Sequence, residues 1–113
     1  MKLEPLAALT AALAITAGAF GAHGLGAPFA DWAKTGAFYA LTHALACLLL
    51  TGEHPRAARL MLLGATIFSA SLYAMALGGP RWLGAVTPFG GILMIAAWLC
   101  IAWSSWRAPQ IKP

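Results

Sequence analysis

The chain has 113 residues, of which 61% are apolar and only 9% charged, with a formal charge of +4. A soluble domain carries about 25% charged residues because its surface faces water, so this composition excludes an ordinary soluble enzyme. The cations are scattered through turns and tails rather than gathered in a stripe, which argues against nucleic acid as a partner.

The charges leave four uncharged stretches, 5–30, 35–52, 60–80 and 82–106. A helix rises about 1.5 Å per residue and the hydrocarbon core is about 30 Å thick, so each stretch can cross it. A four-strand sheet in lipid would leave its edges unpaired, so strands are set aside. The expected fold is all-α, a single domain over 1–113. It is an integral membrane bundle of four transmembrane helices at about 5–24, 29–50, 56–78 and 85–106.

The first helix follows Lys2, Glu4 and Pro5 and closes at Gly24-Leu25-Gly26-Ala27-Pro28. Its apolar run exceeds the 7–15 residues of a secretory leader, and Glu4 stands where a basic leader would continue. It is therefore expected to remain as a membrane helix. Pro28 is placed to open the second helix, where a missing N–H costs nothing, and Thr51-Gly52 ends it. Pro55 opens the third, which ends at Gly78-Gly79-Pro80, and Pro88 stands near the start of the fourth. Trp32, Trp82, Trp103 and Trp106 fall near helix ends, where amphipathic rings settle among headgroups.

Both termini and the middle loop share one side of an even-span protein. That side holds Lys2, Arg56, Arg59, Arg107 and Lys112, against Lys34 and Arg81 on the other. The positive-inside rule then places both termini in the cytoplasm. Cys47 and Cys100 fall in the cytoplasmic half, so both are expected to be free, buried thiols.

Small residues recur every four positions at Ala14, Gly18 and Ala22, at Gly36, Ala40 and Ala44, and at Ala70 and Ala74. Lipid is as apolar as leucine, so helices in it associate through close backbone approach, which small residues permit. The halves also align without gaps, Leu25-Gly26-Ala27-Pro28 falling on Leu77-Gly78-Gly79-Pro80. Two such hairpins would be related by a pseudo-twofold along the membrane normal; chance self-alignment of a Gly/Ala/Leu-rich chain is the alternative.

His43 lies about 16 Å below the level of Trp32, near the midplane. Tyr39 is one turn before it, and Ser69 and Thr16 reach a comparable depth along their own helices. Thr16, Tyr39, His43 and Ser69 thus form a candidate interior polar layer. An ionisable residue in the membrane interior is a functional hypothesis by default. A neutral imidazole that binds helices together by hydrogen bonds is the plainer reading. His23, at the outer end of the first helix, is placed either to titrate with the outer compartment or to satisfy the last helix carbonyls. His23 and His43 differ in depth by several turns, so the two do not share a haem, and no cofactor or metal is expected. Ser69, Ser71 and Tyr73 have no base at the spacing a nucleophile needs. Gly90-Gly91 lacks the Lys-Ser/Thr of a phosphate loop and suits close helix contact.

Four segments also carry a family likeness: Gly18-Ala19-Phe20-Gly21-Ala22-His23-Gly24-Leu25; Tyr39 with His43-Ala44-Leu45-Ala46; Phe68-Ser69-Ala70-Ser71-Leu72-Tyr73; and Gly84-Ala85-Val86-Thr87-Pro88-Phe89-Gly90-Gly91. In this order they resemble the transmembrane protein 256 family, known in bacteria as domain of unknown function 423, the YgdD-like inner-membrane proteins. The likeness runs from about Leu6 to Trp103. Ala70 departs from it, standing where the family has glycine. The resemblance implies a small multi-pass membrane protein and brings no reaction, so His23, Ser71, Tyr73, Thr87, Pro88, Gly90 and Gly91 enter as motif residues without catalytic roles. The leading expectation is a structural or accessory protein without enzymatic activity, packing in the lipid bilayer against itself or a larger complex. The alternative is a minor proton-linked carrier or channel built on the layer around His43.

Overall fold

The computed structural model describes residues 2–109, which fold as four long helices and one short one: α1 (Leu3–His23), α2 (Phe29–Leu50), α3 (Pro55–Ala76), a 3-10 helix (Arg81–Ala85) and α4 (Thr87–Arg107). All four long helices are long and apolar enough to cross a membrane. Helix α1 begins two residues earlier than the sequence suggests, because Pro5 sits in the first turn, where its missing N–H has no helical partner to lose.

The side-chain distribution reverses that of a soluble protein. Most buried apolar residues are alanines, whereas Leu9, Leu13, Phe38, Leu49, Ile92 and Leu99 are exposed. Burying a leucine removes it from lipid as apolar as itself and gains little, so contact between backbones decides the packing. Helix α1 lays Leu3, Ala7, Ala14 and Gly21 along α2. Helices α2 and α3 are central, each packed along two neighbours, and α4 joins the bundle through Gly90, Met94 and Ala97. Of the small-residue faces read from sequence, Gly36, Ala40 and Ala44 are buried, while Ala22 and Ala70 are exposed. The close-packing glycine of α3 is instead Gly64, six residues earlier, because it is Gly64 that faces α4.

A twofold along the membrane normal would carry the α2/α3 contact onto an α1/α4 contact of equal extent. The packing has no such counterpart among the described residues. The two matching turns also fold differently. At the end of α3, Gly78 adopts φ +95°. Gly79 donates to Ala74 O at 2.8 Å and Gly78 to Met75 O at 3.0 Å, which closes the helix as a Schellman motif. The end of α1 has no such positive-φ residue, and Gly24 donates back to Phe20 O. The shared Leu-Gly-x-Pro letters therefore do not encode a shared turn.

The α3–α4 connection holds the 3-10 helix that the sequence reading does not anticipate. Its Arg81 guanidinium lies 5.9 Å from the Trp32 ring, fastening this connection to the start of α2.

Candidate functional site

The antiparallel register of α2 and α3 decides which polar residues meet. A Cβ on Gly36 would lie 2.8 Å from Tyr73 Cε1 and 3.4 Å from Leu72 Cβ, so Gly36 faces that pair. Counting inward, Ser69 stands opposite Tyr39 and Ala40, and His43 is one turn deeper, about 6 Å away along the axis. Ser69 is buried, but it makes no hydrogen bond to His43 among the described residues. Thr16 leaves the layer altogether. Its side chain is exposed on α1 and its hydroxyl donates to Ala12 O at 2.9 Å, so the four-member layer is not assembled. The physical reason is that a threonine facing lipid satisfies itself on its own helix carbonyl.

His43 itself is buried. Its Nδ1 lies 2.7 Å from Tyr39 O on the same helix, and Trp98 of α4 donates Nε1–H to His43 Nε2 at 3.0 Å. These partners fix the ring's protonation. A carbonyl only accepts, so Nδ1 carries the hydrogen; an indole N–H only donates, so Nε2 is bare. The imidazole is thus the neutral Nδ1–H tautomer with both nitrogens paired. Tyr39 stacks nearly parallel to it, with ring centroids 6.3 Å apart, and meets Phe68 edge-on at 4.9 Å. The Trp98 ring stands at 65° to the imidazole. Beside them a cleft of about 350 Å³ lies between α2 and α4, lined by Tyr39, His43, Phe68, Gly91, Met94, Ile95 and Trp98.

Toward the α3–α4 connection, the motif residues of α3 and α4 form a second polar contact. Ser71 Oγ donates to Phe68 O at 2.9 Å and lies 2.6 Å from Thr87 Oγ1. Each hydroxyl has a single proton, and the alternative acceptor for Thr87, Leu83 O, is more distant at 3.3 Å. Thr87 therefore donates to Ser71. Pro88 occupies the first turn of α4. Directly beyond, a Cβ on Gly90 would lie 2.5 Å from Phe68 N and 2.6 Å from Gly64 O, so the two backbones touch there. Thr87, Pro88 and Gly90 thus start α4, pin it to Ser71 and bring it against α3. Gly91 borders the cleft instead.

The remaining candidates are dispersed. His23 is exposed at the end of α1, far from His43. The Tyr73 ring packs on Gly36, and its hydroxyl is buried without a partner among the described residues. Cys47 is buried, whereas Cys100 is exposed on the outer face of α4, against the expectation of two buried thiols. Among the described residues no three His, Cys, Asp or Glu side chains gather as a metal site. Sequence reading leaves Trp98 without a role. Its signal was present: it is the one tryptophan deep within a predicted span, where an indole N–H requires an acceptor.

These features define a four-span membrane protein in which two polar pairs, Trp98–His43 and Ser71–Thr87, join neighbouring helices. Comparison with known proteins gives the family: residues 17–91 match the family described as "Protein of unknown function (DUF423)", and the chain belongs to it. It is 38% identical over 114 residues to a UPF0382 membrane protein of Staphylococcus haemolyticus, covering 90% of this chain and 93% of the relative. It is 37% identical to the UPF0382 membrane protein YwdK of Bacillus subtilis, covering 85% and 89%. To the UPF0382 inner membrane protein YgdD of Escherichia coli it is 36% identical, covering 81% and 79%. No solved structure matches it.

Proposed function

We propose that this chain is a structural or accessory protein of the bacterial inner membrane, without enzymatic activity, that packs with copies of itself or within a larger membrane complex. The observation that carries this reading is the pairing of His43. A proton carrier needs an imidazole with a free nitrogen on a polar path, whereas here Tyr39 O and Trp98 Nε1–H occupy both nitrogens. The groups around it are mostly aromatic and aliphatic, and bonds of this kind in membrane bundles contribute about 0.6 kcal/mol each as helix contacts. The cleft reaching His43 favours the second reading, a minor proton-linked carrier or channel. Liposomes holding the purified chain, an internal pH-sensitive dye and an imposed potential separate the two. The structural reading expects proton flux no greater than in protein-free liposomes. Flux that His43→Phe abolishes would establish the carrier.

The inner-membrane location, with both termini cytoplasmic, belongs to the same proposal. It is supported by the name of the Escherichia coli relative and by the five cations of one side against two of the other. A reporter fused after Trp106 should be active in the cytoplasm, and one placed between Gly26 and Asp31 outside it. The opposite pattern would overturn the orientation.

A further inference from the structure

Helix α1 packs along α2 but meets α3 only lightly, which leaves a furrow between α1 and α3. We propose that this furrow is a binding site for an anionic phospholipid, one acyl chain lying in the groove and the phosphate meeting Arg59.

The groove has a volume of about 600 Å³ and is walled by Leu6, Leu9 and Leu13 of α1 and by Leu62 and Leu63 of α3. Leu9, Leu13 and Leu63 are all more than half exposed, so an acyl chain has side chains to cover. Two threonines also line it, and both hydroxyls are engaged by carbonyls of their own helices. Thr10 donates to Leu6 O and Thr66 to Leu62 O, each at 2.8 Å, so the wall offers methyl groups and no free donor. From Leu3 to Leu13 the groove follows α1 for about 15 Å, half of a 30 Å hydrocarbon core and the reach of a single leaflet.

Arg59 lines the same groove, in the first turns of α3 on the side where α1 begins. Glu4 and Glu53, the acids of that side, do not line it. A guanidinium there is long enough to reach the headgroup level and binds phosphate through paired N–H donors. The other cations of that side, among them Lys2 and Arg56, make the surrounding surface attractive to anionic lipid generally. Arg56 lines a separate cleft of about 470 Å³ that also holds Glu53, whereas Arg59 stands over a leucine-walled groove whose lining has no acid. This is the juxtaposition of a two-part ligand, an anionic head and an apolar tail.

Native mass spectrometry of the full chain in detergent tests this, with dioleoyl phosphatidylglycerol and dioleoyl phosphatidylcholine supplied in equal amounts. The wild type should retain phosphatidylglycerol in excess, and Arg59→Gln should lower that excess by about five-fold. Arg56→Gln, which removes the same charge from the same side outside the groove, should leave most of it. Leu9→Trp, an exposed change that fills the furrow without touching the helix contacts, should reduce the retention of both lipids. Equal losses for Arg56→Gln and Arg59→Gln would reduce the site to diffuse charge and overturn the proposal. So would undiminished lipid retention by Leu9→Trp, or a dimer of the chain that Leu9→Trp dissociates.

Discussion

Replacing Gly90 by alanine probes the crossing on which α4 depends. The added Cβ would stand 2.5 Å from Phe68 N, 2.6 Å from Gly64 O and 2.9 Å from Phe68 Cα, all backbone atoms of α3. None can rotate aside as a side-chain tip would, so the helices must separate until the contact reaches roughly 3.5 Å. A shift of about 1 Å forfeits a quarter to a half of the dispersion energy along the interface, and overpacking of this kind costs typically 1–3 kcal/mol. It also lengthens the Thr87–Ser71 hydrogen bond, which now spans 2.6 Å. Alanine is intrinsically the better helix former by about 0.8–1.0 kcal/mol, which offsets part of the loss. The net expectation is destabilisation by up to about 2 kcal/mol. Gly91→Ala is the control. Its Cβ would meet only Phe68 Cδ2, at an ordinary 3.9 Å, so it should be neutral or slightly stabilising. Reversible unfolding in mixed detergent micelles, followed by tryptophan fluorescence, gives both values. If Gly90→Ala proves no less stable than Gly91→Ala, backbone contact does not hold α4.

Three further outcomes are expected. His43→Ala should lower stability by about 1–2 kcal/mol without preventing insertion, and a double-mutant cycle with Trp98→Phe should show a coupling of about 0.6–1.7 kcal/mol; a coupling near zero would remove the Trp98–His43 bond from the account. Thr87→Val keeps the shape of the side chain and deletes its donor, so it should cost about 0.6 kcal/mol, with no further loss when Ser71→Ala is added, as unfolding of the single and double variants would show. Gly78→Ala forces a Cβ into the left-handed region at φ +95° and should cost about 1–2 kcal/mol, whereas Gly26→Ala, which meets nothing within 4 Å, should leave the midpoint unchanged.

Four spans and their approximate ends were legible because lipid imposes a simple code. Charges avoid the middle of the spans, and proline and glycine mark where helices start and stop. What the code omits is which face of each span meets a neighbour. A soluble helix announces its buried face by its large apolar residues, but here leucine suits lipid and interior alike. The remaining signal is small-residue spacing, and in an alanine-rich chain it is ambiguous. Ala70 and Ala74 have the same spacing as Gly36 and Ala40, yet α3 turns Gly64 toward α4 and leaves Ala70 exposed. The Leu-Gly-x-Pro repeat misleads for a related reason. Identical letters end both α1 and α3, but only Gly78 takes the left-handed conformation that closes a Schellman turn.

The candidate layer shows how far depth alone can carry a prediction. Counting residues places Thr16, Ser69 and His43 near one level. It says nothing of azimuth, and an error of one turn is enough to separate partners. Thr16 satisfies its hydroxyl on Ala12 O, as a lipid-facing threonine can. Histidine has no equivalent escape, because its two ring nitrogens point in opposite directions and only one reaches a carbonyl of its own helix. A buried neutral imidazole therefore demands a donor from another helix, and in this chain that donor had to come from a residue with an N–H or O–H at the right depth. Trp98 meets the condition. The bond it forms runs from α4 to α2 beside a cleft, across a gap that backbone packing does not close. Gly90 fixes α4 to α3 at one end through contact, and Trp98 fixes it to α2 further along through a directed bond. Two anchors on different neighbours set the rotation of α4 as well as its position, which small-residue packing alone leaves free.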